Sequence, residues 1–228
     1  MAQPKDTVWS ISSWNLWKQC PASWHAKYVT KLWKDFPSPQ MDRGRQLHSA
    51  MEEAIKYDVS LPDELAAFAP MVKAFREMKE DGAMVEPELK LGLSVHYKRV
   101  DFFRGERLRI RAAFDLYVED DRKALVIDYK SGRPKTEHRQ EAAFYGACAG
   151  VGMGPTAVQV MYVYLDQPES TFTVDVKDPS RELSDWNKRF STADAAIIGG
   201  CFDLIPGNAC KWCGAFQCPQ NKNPKLGN

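Results

Sequence analysis

The sequence predicts an α/β fold with a central mixed sheet flanked by helices. Helical periodicity fills roughly the first third of the chain. From Glu88 onward the period drops to that of a strand, and strand-type segments then alternate with helical ones. The length of 228 residues, with 44% hydrophobic and 27% charged, is that of an ordinary globular chain. We expect a single domain over 1–228, made of a helical part at 1–83, a sheet core at 84–178, and a closing helix with a cysteine tail at 179–228.

The elements follow from local signals. Ser12 or Ser13 caps a short helix running to Gln19, and Pro21 interrupts it. A second helix is expected from Ala22 to Trp33, and Phe36-Pro37-Ser38-Pro39 reads as a loop. Gly44 to Lys56 places Leu47, Met51, Ala54 and Ile55 on one helical face. Leu61 to Met78 is another helix. Glu88 to Leu93, Leu108 to Val118 and Ala124 to Lys130 read as strands. Glu137 to Ala149 reads as a helix stopped by Gly150-Val151-Gly152. Ala157 to Leu165 and Thr171 to Val176 are strands, and Ser180 to Ile198 is the last helix.

Composition sets limits on function. No apolar run reaches the roughly 20 residues that span a bilayer. Met1 to Asp6 lacks the apolar core of a signal peptide. The expected location is therefore a cytoplasm, where thiols stay reduced. A net charge of +1 gives a nucleic acid nothing to bind except local patches. Arg104, Arg107, Arg109 and Arg111 form one such patch. Lys130, Arg133, Lys135, His138 and Arg139 form another. Charge alone reads either as a solvated face.

The two strands around Glu119-Asp120-Asp121-Arg122-Lys123 carry the chemistry. A two-residue loop at Asp121 and Arg122 puts Asp115 opposite Asp128, Tyr117 opposite Val126 and Ala113 opposite Lys130. Directly opposed Cβ atoms lie about 5 Å apart. Two carboxylates at that distance repel, and a divalent cation between them reverses the sign. Lys130 stands two residues beyond Asp128 on the same strand face, placed to hold a water or offset charge. Asp-x-Lys is common by chance, but here the apolar run Leu125-Val126-Ile127 leads straight into the aspartate. His48 borders the apolar face of its helix. An imidazole there is either a half-buried core histidine or a metal ligand.

Cys210, Cys213 and Cys218 form a C-x2-C-x4-C cluster, which in a reduced compartment reads as metal ligation. Cys20 is the choice for a fourth ligand, and Cys148 and Cys201 rank as ordinary thiols. Zinc and an iron–sulfur cluster both accept four thiolates. Such a site would tie the N-terminal helices to the C-terminal tail.

Taken in order, Ser10 to Trp14 with Cys20-Pro21, Gly44-x-x-x-His48, Ala113-Phe114-Asp115, Ile127-Asp128-Tyr129-Lys130 and the cysteine tail resemble the RecB/AddB-like branch of the PD-(D/E)xK nucleases. That branch includes the CRISPR-associated adaptation nucleases and stand-alone phage-type exonucleases. The resemblance runs from Ser10 to Pro219. It implies a restriction-endonuclease-like core and a single nuclease domain. It implies Mg2+ or Mn2+ held by His48, Asp115, Asp128 and the Tyr129 carbonyl, with Lys130 as the catalytic lysine. It also implies roles for Glu88 (Glu86 is second choice), for Gln140 and for Tyr145, and a structural [4Fe-4S] cluster on Cys20, Cys210, Cys213 and Cys218, with Zn2+ the lesser candidate. Two positions depart from the branch. Phe144 stands where a tyrosine follows Gln140 by four, with Tyr145 next, and the last two cysteines are one residue closer together. The implied function is a deoxyribonuclease, foremost an exonuclease on single strands or free ends. A structure-specific or spacer-processing endonuclease and a non-catalytic DNA-binding subunit of a recombination complex are the alternatives.

Overall fold

A computed structural model describes residues 7–226. Residues 1–6, on which the signal-peptide reading rests, lie outside the described residues. The helices and strands in chain order are α1 (Ile11–Gln19), α2 (Pro21–Tyr28), α3 (Pro39–Tyr57), α4 (Ala69–Glu80), β1 (Met84–Ser94), β2 (Arg99–Val100), β3 (Leu108–Asp120), β4 (Lys123–Lys130), α5 (Glu137–Met153), β5 (Ala157–Tyr164), β6 (Phe172–Val176) and α6 (Pro179–Ile198). No helix among the described residues is long and apolar enough to cross a membrane. The chain gathers into two compact units, Pro39–Trp186 and Met1–Ser38 with Asn187–Asn228.

The larger unit is built on a six-stranded sheet in the order β2-β1-β3-β4-β5-β6. Neighbours are antiparallel except β4 and β5, which run parallel because α5 carries the chain back between them. The mixed sheet flanked by helices agrees with the fold class read from the sequence. β4 is central and covered on both faces, so Val126, Ile127, Asp128 and Tyr129 are all buried. On one face, Leu47, Met51, Ala54 and Ile55 of α3 and Val72 and Phe75 of α4 pack on Val85, Leu116, Val118, Ile127 and Val163. On the other, α5 lies close, because a Cβ at Gly146 would stand 2.4 Å from Val176 and 2.8 Å from Val160.

Several boundaries differ from those expected, each for a local reason. Ser10 caps α1, two or three residues early, in a reciprocal pair with Ser13. α2 stops at Tyr28 instead of Trp33. α3 starts at Pro39, since proline is at home in a first helical turn. The segment from Leu61 splits into a 3-10 turn, Asp63–Phe68, and α4, with Pro70 at the junction. α5 runs through Gly150 and Gly152 to Met153. Gly150 is there for contact, as a Cβ would stand 2.4 Å from Pro179. The helix stops only at Gly154, whose φ of 79° is left-handed.

The smaller unit has an aromatic core. Trp9 stacks on Phe190 at 5.3 Å and on Trp24 at 5.5 Å, and meets Trp14 and Trp17 edge-on. Its indole N–H donates to Asp194 at 3.0 Å. These tryptophans are therefore core residues.

Leu116 is fully buried in the main core, so Leu116→Ala is expected to cost about 2–5 kcal/mol of stability. Urea unfolding checks this, and an unchanged midpoint contradicts the packing described.

Candidate active site

The β3–β4 hairpin sets the site. Its turn residues Asp121 and Arg122 both have positive φ, 43° and 60°, the backbone of a two-residue hairpin turn. That loop fixes the register, and Tyr117 pairs with Val126 as expected. The ladder ends at Leu116–Ile127. The expected Asp115–Asp128 and Ala113–Lys130 pairs do not form. Two carboxylates brought together as a ladder pair would repel, and the strands part there instead. Asp115 Oδ2 takes over the role of the missing backbone acceptor, receiving the Tyr129 N–H at 2.6 Å.

The other side of β3 is irregular at the same level. β1 pairs with it through Pro87–Leu116 and again from Leu89–Phe114, skipping Glu88 and Asp115. Glu88 sits there at φ 57°, left-handed backbone that a non-glycine residue occupies only at a cost. Burial raises its carboxyl pKa, and the charges of Asp115 and Glu52 raise it further. Glu86 is exposed and paired across from Tyr117.

α3 brings the histidine. A Cβ at Gly44 would stand 2.7 Å from Ser131 Oγ, so glycine lets the helix pass close to the end of β4. One turn on, His48 Nδ1 lies 3.4 Å from Asp115 Oδ1, and its ring meets Tyr129 edge-on at 5.9 Å. Burial opposes the charged imidazole, but the hydrogen bond and charge of Asp115, joined by Asp128, outweigh it and raise its pKa. His48 and Glu88 line an open cleft of about 770 Å³ with Arg45, Glu52, Ser131 and Gly132.

Asp128 is 6% exposed, and Lys130 Nζ lies 2.5 Å from its Oδ2. The contact is a short, charge-assisted one between a buried carboxylate oxygen and an ammonium. Burial pushes the Asp128 carboxyl up to about 7; Asp115 adds to the rise, while Lys130 and His48 oppose it. Burial also disfavours the Lys130 ammonium, yet Asp128, Glu141 and Asp115 hold its pKa above the usual value. Burial thus works against the aspartate charge, while the surrounding carboxylates favour the lysine charge. The cluster is short of positive charge.

α5 contributes Glu141 and Tyr145. Glu141 is buried, accepts from the Tyr162 hydroxyl at 3.5 Å, and acts on the charge of Lys130. Burial lifts the Tyr145 phenol well above its ordinary value, with Asp128, Asp115 and Glu141 adding to the effect. Gln140 is exposed on the opposite side of the helix turn. Glu141 escaped the sequence reading. Its spacing of four from Tyr145 was the available signal, since such residues share a helix face.

The residues fit a hard divalent cation by the chemistry of the donor set: two carboxylates, one of them buried, and an imidazole. Among the described residues no three His, Cys, Asp or Glu side chains converge tightly enough to enclose one ion. Binding would have to draw the carboxylates inward against their repulsion.

In the smaller unit, Cys20, Cys210, Cys213 and Cys218 line one small hollow together with Ser23 and Asn221. Cys20 Sγ accepts from the Ile205 N–H at 3.5 Å, and Cys210 Sγ from the Gly207 N–H at 3.5 Å. Burial opposes ionisation of Cys20, but the Ile205 and Ser23 hydrogen bonds win and lower its pKa. Burial raises Cys218, and the neighbouring thiols of Cys213, Cys20 and Cys210 raise it further. Cys148 is buried on α5 and Cys201 is exposed; neither lines the hollow.

Residues 8–218 match the sequence model of the PD-(D/E)XK nuclease superfamily. The chain belongs to this superfamily. Among solved structures, the nuclease is similar to one described as the crystal structure of SSO0001, with a TM-score of 0.49 and 14% identity, covering 96% of this chain and 90% of that one. It is also similar to an alkaline exonuclease, LHK-Exo, from Laribacter hongkongensis, with a TM-score of 0.35 and 12% identity, covering 87% of this chain and 96% of that one. Both likenesses are too distant to bear on function. No curated protein sequence matches the chain.

The nuclease holds Glu88 in a strained backbone beside two other carboxylates. Glu88→Gly relieves both, less the added chain entropy of glycine, and is expected to stabilise the fold by about 0.5–1 kcal/mol. A lowered urea midpoint would show that the left-handed turn carries no strain.

Proposed function

We propose that this nuclease is a metal-dependent deoxyribonuclease of the RecB/AddB-like branch, acting as an exonuclease on single strands or free DNA ends in a cytoplasm. The observation that carries the reading is Asp128, buried at the end of a core strand, 2.5 Å from Lys130 and within the charge fields of Asp115 and His48. A structural ion pair gains little from burial beside a second carboxylate, whereas a phosphodiester-cleaving site needs this excess of negative charge to attract a cation.

Asp115, Asp128, His48 and the Tyr129 carbonyl would hold Mg2+ or Mn2+, which supplies Lewis acidity toward the phosphate when bound. Asp115 orients the imidazole and keeps the end of β4 in place through the Tyr129 amide. Lys130, with its proton held firmly, offsets negative charge growing on the phosphate; a lysine in that state is a poor general base. The charge of Glu141 helps keep the Lys130 ammonium protonated, Tyr145 lies on the same face of α5, and Glu88 lines the cleft on what would be the substrate side. Gln140 has no contact that argues for a role.

The test is cleavage of end-labelled single-stranded DNA in manganese. Asp128→Ala and Lys130→Ala are each expected to lose about 100-fold or more in rate. Linear strands should be cut and circular ones spared. Equal cutting of circles would make the enzyme an endonuclease. Unchanged activity in Asp128→Ala would remove the site, and DNA binding without cleavage in any divalent metal would leave a binding subunit.

For the cysteine hollow we propose a structural [4Fe-4S] cluster on Cys20, Cys210, Cys213 and Cys218, with Zn2+ as the alternative occupant. Four thiols on one hollow, two of them receiving backbone N–H bonds, support it. Protein purified without oxygen should be brown and contain iron, and Cys213→Ser should lower the iron content. A colourless preparation with stoichiometric zinc assigns the site to zinc.

A further inference from the structure

Trp212 is 77% exposed, while Trp9, Trp14, Trp17, Trp24 and Trp186 are all buried. It follows a short 3-10 turn, Asn208–Lys211, and sits between two of the four hollow-lining cysteines. An exposed tryptophan in a rigid setting presents an aromatic face to solvent that nothing in its own unit covers. Its surroundings are basic. From Leu204 to the last residue there are three lysines, Lys211, Lys222 and Lys225, and no aspartate or glutamate.

Two of these lysines share a surface. Lys211 and Lys222 line an open hollow of about 470 Å³ with Pro206, Gly207, Asn208 and Gln220. The Lys222 N–H donates to the Cys210 carbonyl at 3.1 Å, which fixes its backbone beside the turn that carries Lys211 and Trp212. Both side chains are exposed, and neither forms an ion pair among the described residues. Lys225 differs, since its ammonium donates to the Pro37 carbonyl at 3.2 Å. The result is an exposed tryptophan next in the chain to Lys211, which shares an open hollow with Lys222, on a turn that is tied down from behind.

From this arrangement we infer a binding site for single-stranded nucleic acid, in which one base stacks on Trp212 and the flanking phosphates meet Lys211 and Lys222. The inference rests on the nuclease reading above and names a second place on the chain where substrate is gripped. Stacking would use the exposed aromatic face, and phosphates would meet the two lysines of a tail segment that carries no aspartate or glutamate from Leu204 onward. A protein partner seated on the exposed Trp212, Leu204 and Ile205 is the competing occupant, and the self-association outcome below tests it.

The full chain is titrated into a labelled oligo(dT) of about 20 nucleotides in calcium, which suppresses cleavage, with fluorescence anisotropy as the readout. Trp212→Ala should weaken binding about tenfold, and Trp212→Phe should recover most of the loss. The pair Lys211→Ala and Lys222→Ala should reduce the slope of log K against log salt by about 1.4, for two phosphates on a single strand. Native affinity in Trp212→Ala overturns the inference. So does an equal loss in Trp212→Phe, which would mark a structural effect. Self-association that Trp212→Ala abolishes, with DNA affinity intact, assigns the face to protein contact and also overturns it. If the native chain neither binds nor cuts DNA, the nuclease reading fails first; if it does both and Trp212→Ala binds as well, only this inference fails.

Discussion

The hydrogen bond from the Tyr129 amide to Asp115 Oδ2 joins the two strands at the point where their ladder has ended. Without it, the amide of a buried residue in the central strand would lack a partner, a cost of about 1–3 kcal/mol. With it, the Asp115 carboxylate is fixed against the end of β4. One oxygen caps β4 and the other faces His48. A fold requirement and the aim of a catalytic-type carboxylate are thus met by one side chain. At the same level Glu88 is skipped in the β1–β3 ladder, while the end of β4 that carries Asp128 and Lys130 stays paired with β5 alone.

The electrostatics follow from that break. Asp115, Asp128, Glu88 and Glu141 gather where Lys130 and His48 supply the positive charge. Burial then decides the balance: the Asp128 carboxyl rises to about 7, while the lysine keeps its proton. A cluster tuned for stability would drop a carboxylate or replace the pair by apolar groups. Here the strain persists at Glu88 and at Asp128 together. Backbone strain at Glu88 and like-charge crowding around Asp115 and Asp128 are what a bound cation would relieve. A divalent cation meets that need and a monovalent one does so poorly.

The hairpin was legible in the sequence because a two-residue turn fixes the register of everything beyond it, and the Tyr117–Val126 pair follows. The end of the ladder was not legible. It depends on the repulsion of two carboxylates and on a side chain replacing a backbone acceptor, and neither leaves a periodicity. His48 could be placed on the border of its helix face, and Gly44 four residues earlier could be noted, but only Ser131 explains that glycine. On α5, a shift of one residue turns a side chain by about 100°. That is why Gln140 and Glu141, adjacent in sequence, end up on solvent and in the core. The glycines at 150 and 152 looked like a helix stop because packing against Pro179, Leu91 and Leu93 is long-range information.

The C-terminal tail poses a different problem. Beyond α6 the described chain has no helix longer than a 3-10 turn and no strand. Its buried residues there are Cys213, Gly214, Ala215 and Asn223, which offer very little apolar area. What order it has comes from polar ties: the Asn221 amide donates to the carbonyls of Cys213 and Ala215, and the Asn223 amide donates to Cys213 as well. Such bonds net only about 1 kcal/mol each, against about 1–2 kcal/mol of backbone entropy for every ordered residue. A segment this poor in core gains most from a staple, and the metal ligation proposed for the four thiols would be one. Its energetic role would be to hold the tail, and the turn bearing Trp212, in one conformation.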